Sequence, residues 1–139
     1  RMDLAILRLS ESVSAPPLRL ETEGQERGRT GATLGYPGDG NGQLDADPAA
    51  VQARYEAVGK DIYGRDDVSR EVYELRSEVT QGESGGPFVL PNGSVAGVVF
   101  AASTTDAGRG FALTGAEVVD EINAGIGATN AVSSGRCTR

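Results

Sequence analysis

Gly82-Glu83-Ser84-Gly85-Gly86-Pro87 runs directly into Phe88-Val89-Leu90 and then into Pro91-Asn92-Gly93. As structure, this is a glycine-rich turn, a short apolar strand and a hairpin. Asn-Gly is a strong hairpin signal, because a two-residue turn of type I′ needs positive φ at both residues. As chemistry, the turn presents a serine. A serine hydroxyl is a poor nucleophile near neutral pH; it needs a neighbouring base and a pair of amide donors for the oxyanion it generates. Gly82 lets the backbone turn so that its own N–H and that of Ser84 point at one spot, and Gly85 and Gly86 leave room for a substrate carbonyl. A Gly/Ser turn without chemistry is the plain alternative, and the hexapeptide with its strand and hairpin is too specific for it. The base is the difficulty, because the 139 residues contain no histidine. The chain carries a nucleophile and lacks its usual partner.

Outward from this stretch the pattern is all-β. Residues 94–102 are the most β-like run, 103–108 a loop and 110–113 a further strand. Thr114-Gly115-Ala116-Glu117 fits a capping box, in which the threonine hydroxyl and glutamate carboxylate satisfy free amides at a helix start. Val118, Val119 and Ile122 give that helix an apolar face, and Gly125 is expected to stop it. Residues 128–139 read as a small, polar surface tail. Towards the N-terminus, 72–79 has helix-compatible spacing but leads into the turn at Gln81-Gly82, which favours a strand. Residues 51–62 and 29–36 are strands, the latter ended by Pro37-Gly38; 39–48 and 66–70 are polar loops. Residues 18–21 alternate as a half-buried strand does, and 3–9 read as a strand edge. With 20 glycines and six prolines, many tight turns and short strands are expected, as in a barrel.

Composition removes several functions. Net charge is −7, which argues against a nucleic-acid binder and against attraction to anionic lipid. No stretch approaches the ~18 apolar residues that cross a bilayer, and the first residues have no apolar core of signal-peptide length; an export signal or anchor is expected upstream. Cys137 is the one cysteine. It reads either as an unpaired thiol on a frayed tail or as half of a disulfide to a cysteine on another segment. No Cys/His cluster suggests a metal site, no phosphate loop is present, and no cofactor is expected.

The hexapeptide is the nucleophile signature of chymotrypsin-like serine proteases, and the chain resembles their trypsin/HtrA-type members. The likeness covers Asp3 to Leu9, Glu78 to Leu90, and Val95 to Ile122. Gly82–Gly86 also satisfies Gly-x-Ser-x-Gly, the α/β-hydrolase elbow. That elbow leads into a helix and its histidine follows the serine, and neither holds here. In the protease, by contrast, histidine precedes the acid and the acid precedes the serine. Asp3-Leu4-Ala5-Ile6-Leu7 resembles the segment around the triad aspartate, whose apolar neighbours fix a strand in the core while the acid orients the imidazole. The resemblance implies a double β-barrel: residues 1–21 ending the first barrel, 22–50 the connection and first strand of the second, 51–127 the second barrel with the nucleophile loop and helix, and 128–139 a tail. It implies that Ser84 attacks, that Gly82 and Ser84 hold the oxyanion, and that Asp3 orients a histidine carried on an upstream segment or chain. A proteolytic or experimental cut before Arg1, with the N-terminal piece as a second chain, is the expectation, and a dead or isolated fragment is the competing one. Glu78, Thr80, Gln81, Phe100, Ala101 and Ala102 are the substrate-binding positions it implies, with Glu78 attracting Arg or Lys side chains. Two residues depart from the pattern: Glu83 replaces the usual aspartate, and Phe100 stands where a serine is common.

The expected activity is therefore a serine endopeptidase acting on peptides or proteins. Its likeness to membrane-anchored members implies a periplasmic domain tethered by upstream helices. Two non-enzymatic readings share the fold: a pseudoprotease that only binds peptides, and a chaperone or stress sensor that takes unfolded peptides by strand addition.

Overall fold

Alternation of small and apolar residues with polar ones sets the sheet. The structure, a computed structural model, describes residues 4–38, 41–60 and 66–133. The strands are β1 (Thr30–Gly35), β2 (Asp45–Lys60), β3 (Asp67–Arg76), β4 (Pro87–Val89), β5 (Val95–Ala102) and β6 (Arg109–Thr114), followed by helix α1 (Gly115–Gly127). They form a closed antiparallel barrel in the order β1-β2-β3-β6-β5-β4, with β4 pairing back onto β1 through Ala32–Val89 and Thr33–Phe88. Beyond the closed part, among the described residues, β2 from Ala53 to Lys60 pairs with β3 alone and β3 from Asp67 to Glu71 with β2 alone. A mostly β chain with a single C-terminal helix is what the sequence pattern predicts.

Two polar stretches expected as loops are strand. Asp45 to Pro48 open β2 and pair with β1 from Gly35 to Ala32. Asp67 to Arg70 open β3 and pair with β2 from Lys60 to Ala57. In the second case the ribbon is solvated: Arg54, Tyr55, Glu56 and Val58 are exposed, and Lys60 Nζ meets Asp67 Oδ1 at 2.8 Å across its end. Backbone pairing carries a strand without apolar side chains, so hydrophobic periodicity is silent there.

The β4–β5 hairpin forms by a different turn from the one expected. Gly93 has φ 84°, whereas Asn92 is not at positive φ. The Gly93 N–H donates to Leu90 O (2.9 Å) and the Leu90 N–H to Ser94 O (2.9 Å). This is a three-residue loop with Pro91 in the position that its fixed φ favours and glycine in the left-handed one. The Asn92 side chain instead accepts from the Ser94 N–H (3.0 Å) and hydroxyl (2.7 Å).

Inside the barrel, Val51, Tyr73, Leu75, Phe88, Ala96, Val99 and Ala112 are fully buried. The Tyr73 and Phe88 rings meet edge to face at 6.1 Å, a favoured aromatic geometry. A second cluster, Val72, Leu113 and Val118, lies where α1 packs on the barrel wall. The Thr114 hydroxyl accepts from the Glu117 N–H (3.2 Å), as a cap should. The reciprocal half of the capping box does not form. Glu117 accepts from the Glu71 N–H of β3 (3.0 Å), and Thr114 donates to the Glu71 carboxylate (2.8 Å). These bonds tie the helix start to the sheet. The helix also continues past Gly125, the expected stop, to Gly127.

Residues 4–9 form neither helix nor strand and pair with no strand among the described residues. Alternate side chains lie along α1 instead: Leu4 packs against the Val72–Leu113–Val118 cluster, Ile6 lies on Gly125, and Arg8 donates to Ala128 O (2.7 Å). Leu7 and Leu9 face solvent. An extended segment becomes a strand only when a neighbour accepts its backbone, and here the helix offers side chains alone. The expected strand at 18–21 reduces to a parallel bridge between Leu20 and Val95.

Candidate active site

The loop between β3 and β4 positions Ser84. Gly82 has φ 106° and Gly85 φ 91°, conformations glycine adopts without a Cβ clash. At Gly82 a Cβ would also come within 2.7 Å of the Gly38 amide nitrogen. The loop is pinned to its surroundings by backbone bonds. Gly38 N–H donates to Gln81 O (3.2 Å), Glu83 N–H to Thr80 O (3.3 Å), Gly85 N–H to Val99 O (2.7 Å) and Gly86 N–H to Glu83 O (2.9 Å). Val99 N–H returns a bond to Gly86 O (2.8 Å). Between these paired amides, the N–H groups of Gly82 and Ser84 have no acceptor among the described residues. Two free donors flanking one serine are what an oxyanion requires.

The Ser84 side chain is exposed, and its hydroxyl donates to the Phe100 carbonyl at 3.3 Å, a long and weak bond for an O–H donor. Phe100 sits at a bulge in β5, where the pairing with β6 shifts between Val99 and Ala101. Its ring packs on the outer cluster that also receives Leu4. Phe100 therefore offers its carbonyl to Ser84 and its ring to the helix side.

Beneath the nucleophile lies a second constellation. Glu83 is 2% exposed. One carboxylate oxygen accepts from the Thr80 N–H; the other, Oε1, is buried without a partner. Glu83 packs on Gly35 of β1, opposite Asp45 of β2. Asp45 and Asp47, two apart on one face of β2, complete a trio with Glu83: one carboxylate oxygen of each lies within 4.8 Å of the others. Burial, and then the charges of Asp45, Glu83 and Glu78, push the Asp47 carboxyl above its usual range.

Of the residues singled out in the sequence, Gly82 and Ser84 come together on the loop, and Phe100 reaches Ser84 through its carbonyl. Glu78, Thr80 and Gln81 are exposed on the approach to the loop, Ala101 is half-buried, and Ala102 is exposed. Glu78 lies near enough to Asp47 for its charge to be felt there. Asp3 and Cys137 lie outside the described residues. Sequence reading missed the carboxylate trio because Asp45 and Asp47 were assigned to a loop. The signal was their i, i+2 spacing, which places both on one face once the segment is a strand.

The fold and this loop define a trypsin-like peptidase domain, whose family pattern matches residues 1–98. The chain belongs to that family and has its chymotrypsin-like fold. Among its relatives, the serine protease Rv3671c of Mycobacterium tuberculosis is 44% identical over 137 residues, which is 98% of this chain and 34% of the relative. The chain thus spans about a third of the length of the curated relatives it matches. The crystal structure of the active form of the Rv3671c protease superposes with a TM-score of 0.82 at 44% identity, covering 89% of this chain and 54% of that one. A serine endoprotease from Yersinia pestis shares the fold at 18% identity, with a TM-score of 0.61 over 81% of this chain and 36% of the other.

Proposed function

We propose that this chain is the nucleophile-bearing part of a serine endopeptidase. The observation that carries the reading is the pattern of amides around Ser84. The N–H groups of Glu83, Gly85 and Gly86 are all paired, while those of Gly82 and Ser84 are free. A turn that merely reversed the chain would have no reason to hold open these two donors. Ser84 attacks the scissile carbonyl, the two free amides receive the oxyanion, and the acyl-enzyme is hydrolysed in a second step. The hydroxyl must lose its proton to a base. With no histidine in the chain, the imidazole comes from a separate segment of the protease, and Asp3 orients it.

Exposed Glu78, Thr80 and Gln81 and the end of β5 form the substrate approach, and Glu78 favours a basic side chain. An extracytoplasmic setting, an anchor outside this chain and a disulfide at Cys137 belong to the same proposal. Among the described residues, no helix is long and apolar enough to cross a membrane.

A fluorophosphonate probe, with mass spectrometry to locate the adduct, tests the chemistry. The intact protease is labelled at Ser84 and loses peptidase activity in proportion. Intact protease with the histidine segment present and no adduct at Ser84 would instead make this a peptide-binding pseudoprotease.

A further inference from the structure

We propose that Asp45, Asp47 and Glu83 form a calcium site that ties the nucleophile loop to the barrel wall. Two observations converge on it. First, the donor set is three carboxylates from β2 and the residue preceding Ser84, with donor oxygens within 4.8 Å of one another. Oxygens on one ion stand no more than twice the metal–oxygen distance apart; for calcium at about 2.4 Å this gives about 4.8 Å. Carboxylate oxygen is the hard ligand calcium takes, and zinc sites draw mainly on nitrogen and sulfur. Second, Glu83 is 2% exposed and its Oε1 is buried without a hydrogen-bond partner among the described residues. Buried polar atoms are ordinarily satisfied, and a buried charge is paired or bound to a metal.

The ion takes one oxygen from each carboxylate and completes its shell with water, which exposed Asp45 admits. Its effect is mechanical. Glu83 also accepts from the Thr80 N–H, so an ion on Glu83 fixes both ends of the turn that leads into Ser84. The site does not depend on Ser84 chemistry, and binding is measurable in Ser84→Ala protein.

The test is isothermal titration of intact protease, first stripped with chelator, using calcium chloride and, in parallel, magnesium chloride. One calcium ion binds per chain, with Kd about 0.1–1 mM as in extracellular modules. Calcium at about 10 mM raises Tm by a few degrees through linkage. Magnesium binds at least about tenfold more weakly, because it demands a smaller, near-octahedral shell. Asp45→Asn and Asp47→Asn each weaken calcium at least about tenfold. Without calcium both melt no lower than the parent, since each removes a like charge; this separates loss of binding from failure to fold. Absence of calcium heat and of a Tm rise at this concentration overturns the site, as occurs if a basic side chain from another segment fills it. Equal affinity for magnesium, or unchanged binding in both variants, overturns it as well.

Discussion

Residues 80–86 and residues 4–18 are held in opposite ways. The first segment is fixed by backbone bonds to Gly38, to β5 and within itself, with one buried carboxylate beneath it. The second makes no backbone hydrogen bond among the described residues. It is held by alternate side chains laid along α1 and by Arg8 on a helix-end carbonyl. The contrast separates two kinds of functional positioning. A nucleophile and its amide donors need fixed backbone, which a closed barrel and local glycines provide. In the proposed protease the segment that follows Asp3 serves as a junction, and its outward edge, with Leu7 and Leu9 exposed, takes up other parts of the protein.

The largest effect expected is at the nucleophile. Ser84→Ala in the intact protease lowers kcat by about 10⁴-fold or more and leaves Tm essentially unchanged, because the side chain is exposed and its single bond is long. A large loss of Tm would mean that Ser84 is structural. Next comes the rigidity of the loop. A Cβ at Gly86 would run into the Leu34 carbonyl, so Gly86→Ala costs about 2–4 kcal/mol in denaturant unfolding. A near-neutral result would show that the loop yields, and the contrast with residues 4–18 would fail.

Val118→Ala opens a gap in the cluster that receives Leu4 and costs about 2 kcal/mol. Hydrogen exchange should then rise in α1 while the bonded amides of Glu83, Gly85 and Gly86 keep their protection. Tyr73→Phe removes the hydroxyl that accepts from the Gln25 N–H (2.9 Å) and costs about 1 kcal/mol. Burial raises the Tyr73 pKa above its ordinary value. Its contribution is therefore complete below the unfolded pKa near 10 and is lost as pH rises through the folded pKa. An alkaline unfolding titration of Tyr73→Phe should show a shallower loss of stability than the parent. The smallest effect is Leu7→Ser. With 85% of the residue exposed, barrel stability shifts by no more than about 0.5 kcal/mol, whereas assembly with the histidine-bearing segment weakens. Unchanged activity of the intact protease would break the assignment of this edge to a junction.

Legibility varied with how each element is stabilised. The serine loop was readable because its chemistry is written in adjacent residues: the glycines supply positive φ at Gly82 and Gly85, and the strand and hairpin follow at once. β5, β6 and the helix cap at Thr114 were readable from apolar runs and a capping residue. The opening residues of β2 and β3 were not, because both are polar and held by pairing with β1 and with each other. The destination of Glu117 was equally hidden. Its acceptor role was anticipated, but the amide it meets belongs to Glu71, 46 positions away.

By itself the sequence determined the chymotrypsin-like class, because this rests on residue identity and short-range backbone preference; the nucleophile and the external base it points to belong to the proposed function. Tertiary structure alone decided that Asp45, Asp47 and Glu83 meet, that Phe100 gives Ser84 its carbonyl rather than its ring, and that residues 4–8 follow a helix instead of a strand. Each of these depends on which distant segment supplies a neighbour, and barrel closure sets that through long-range register.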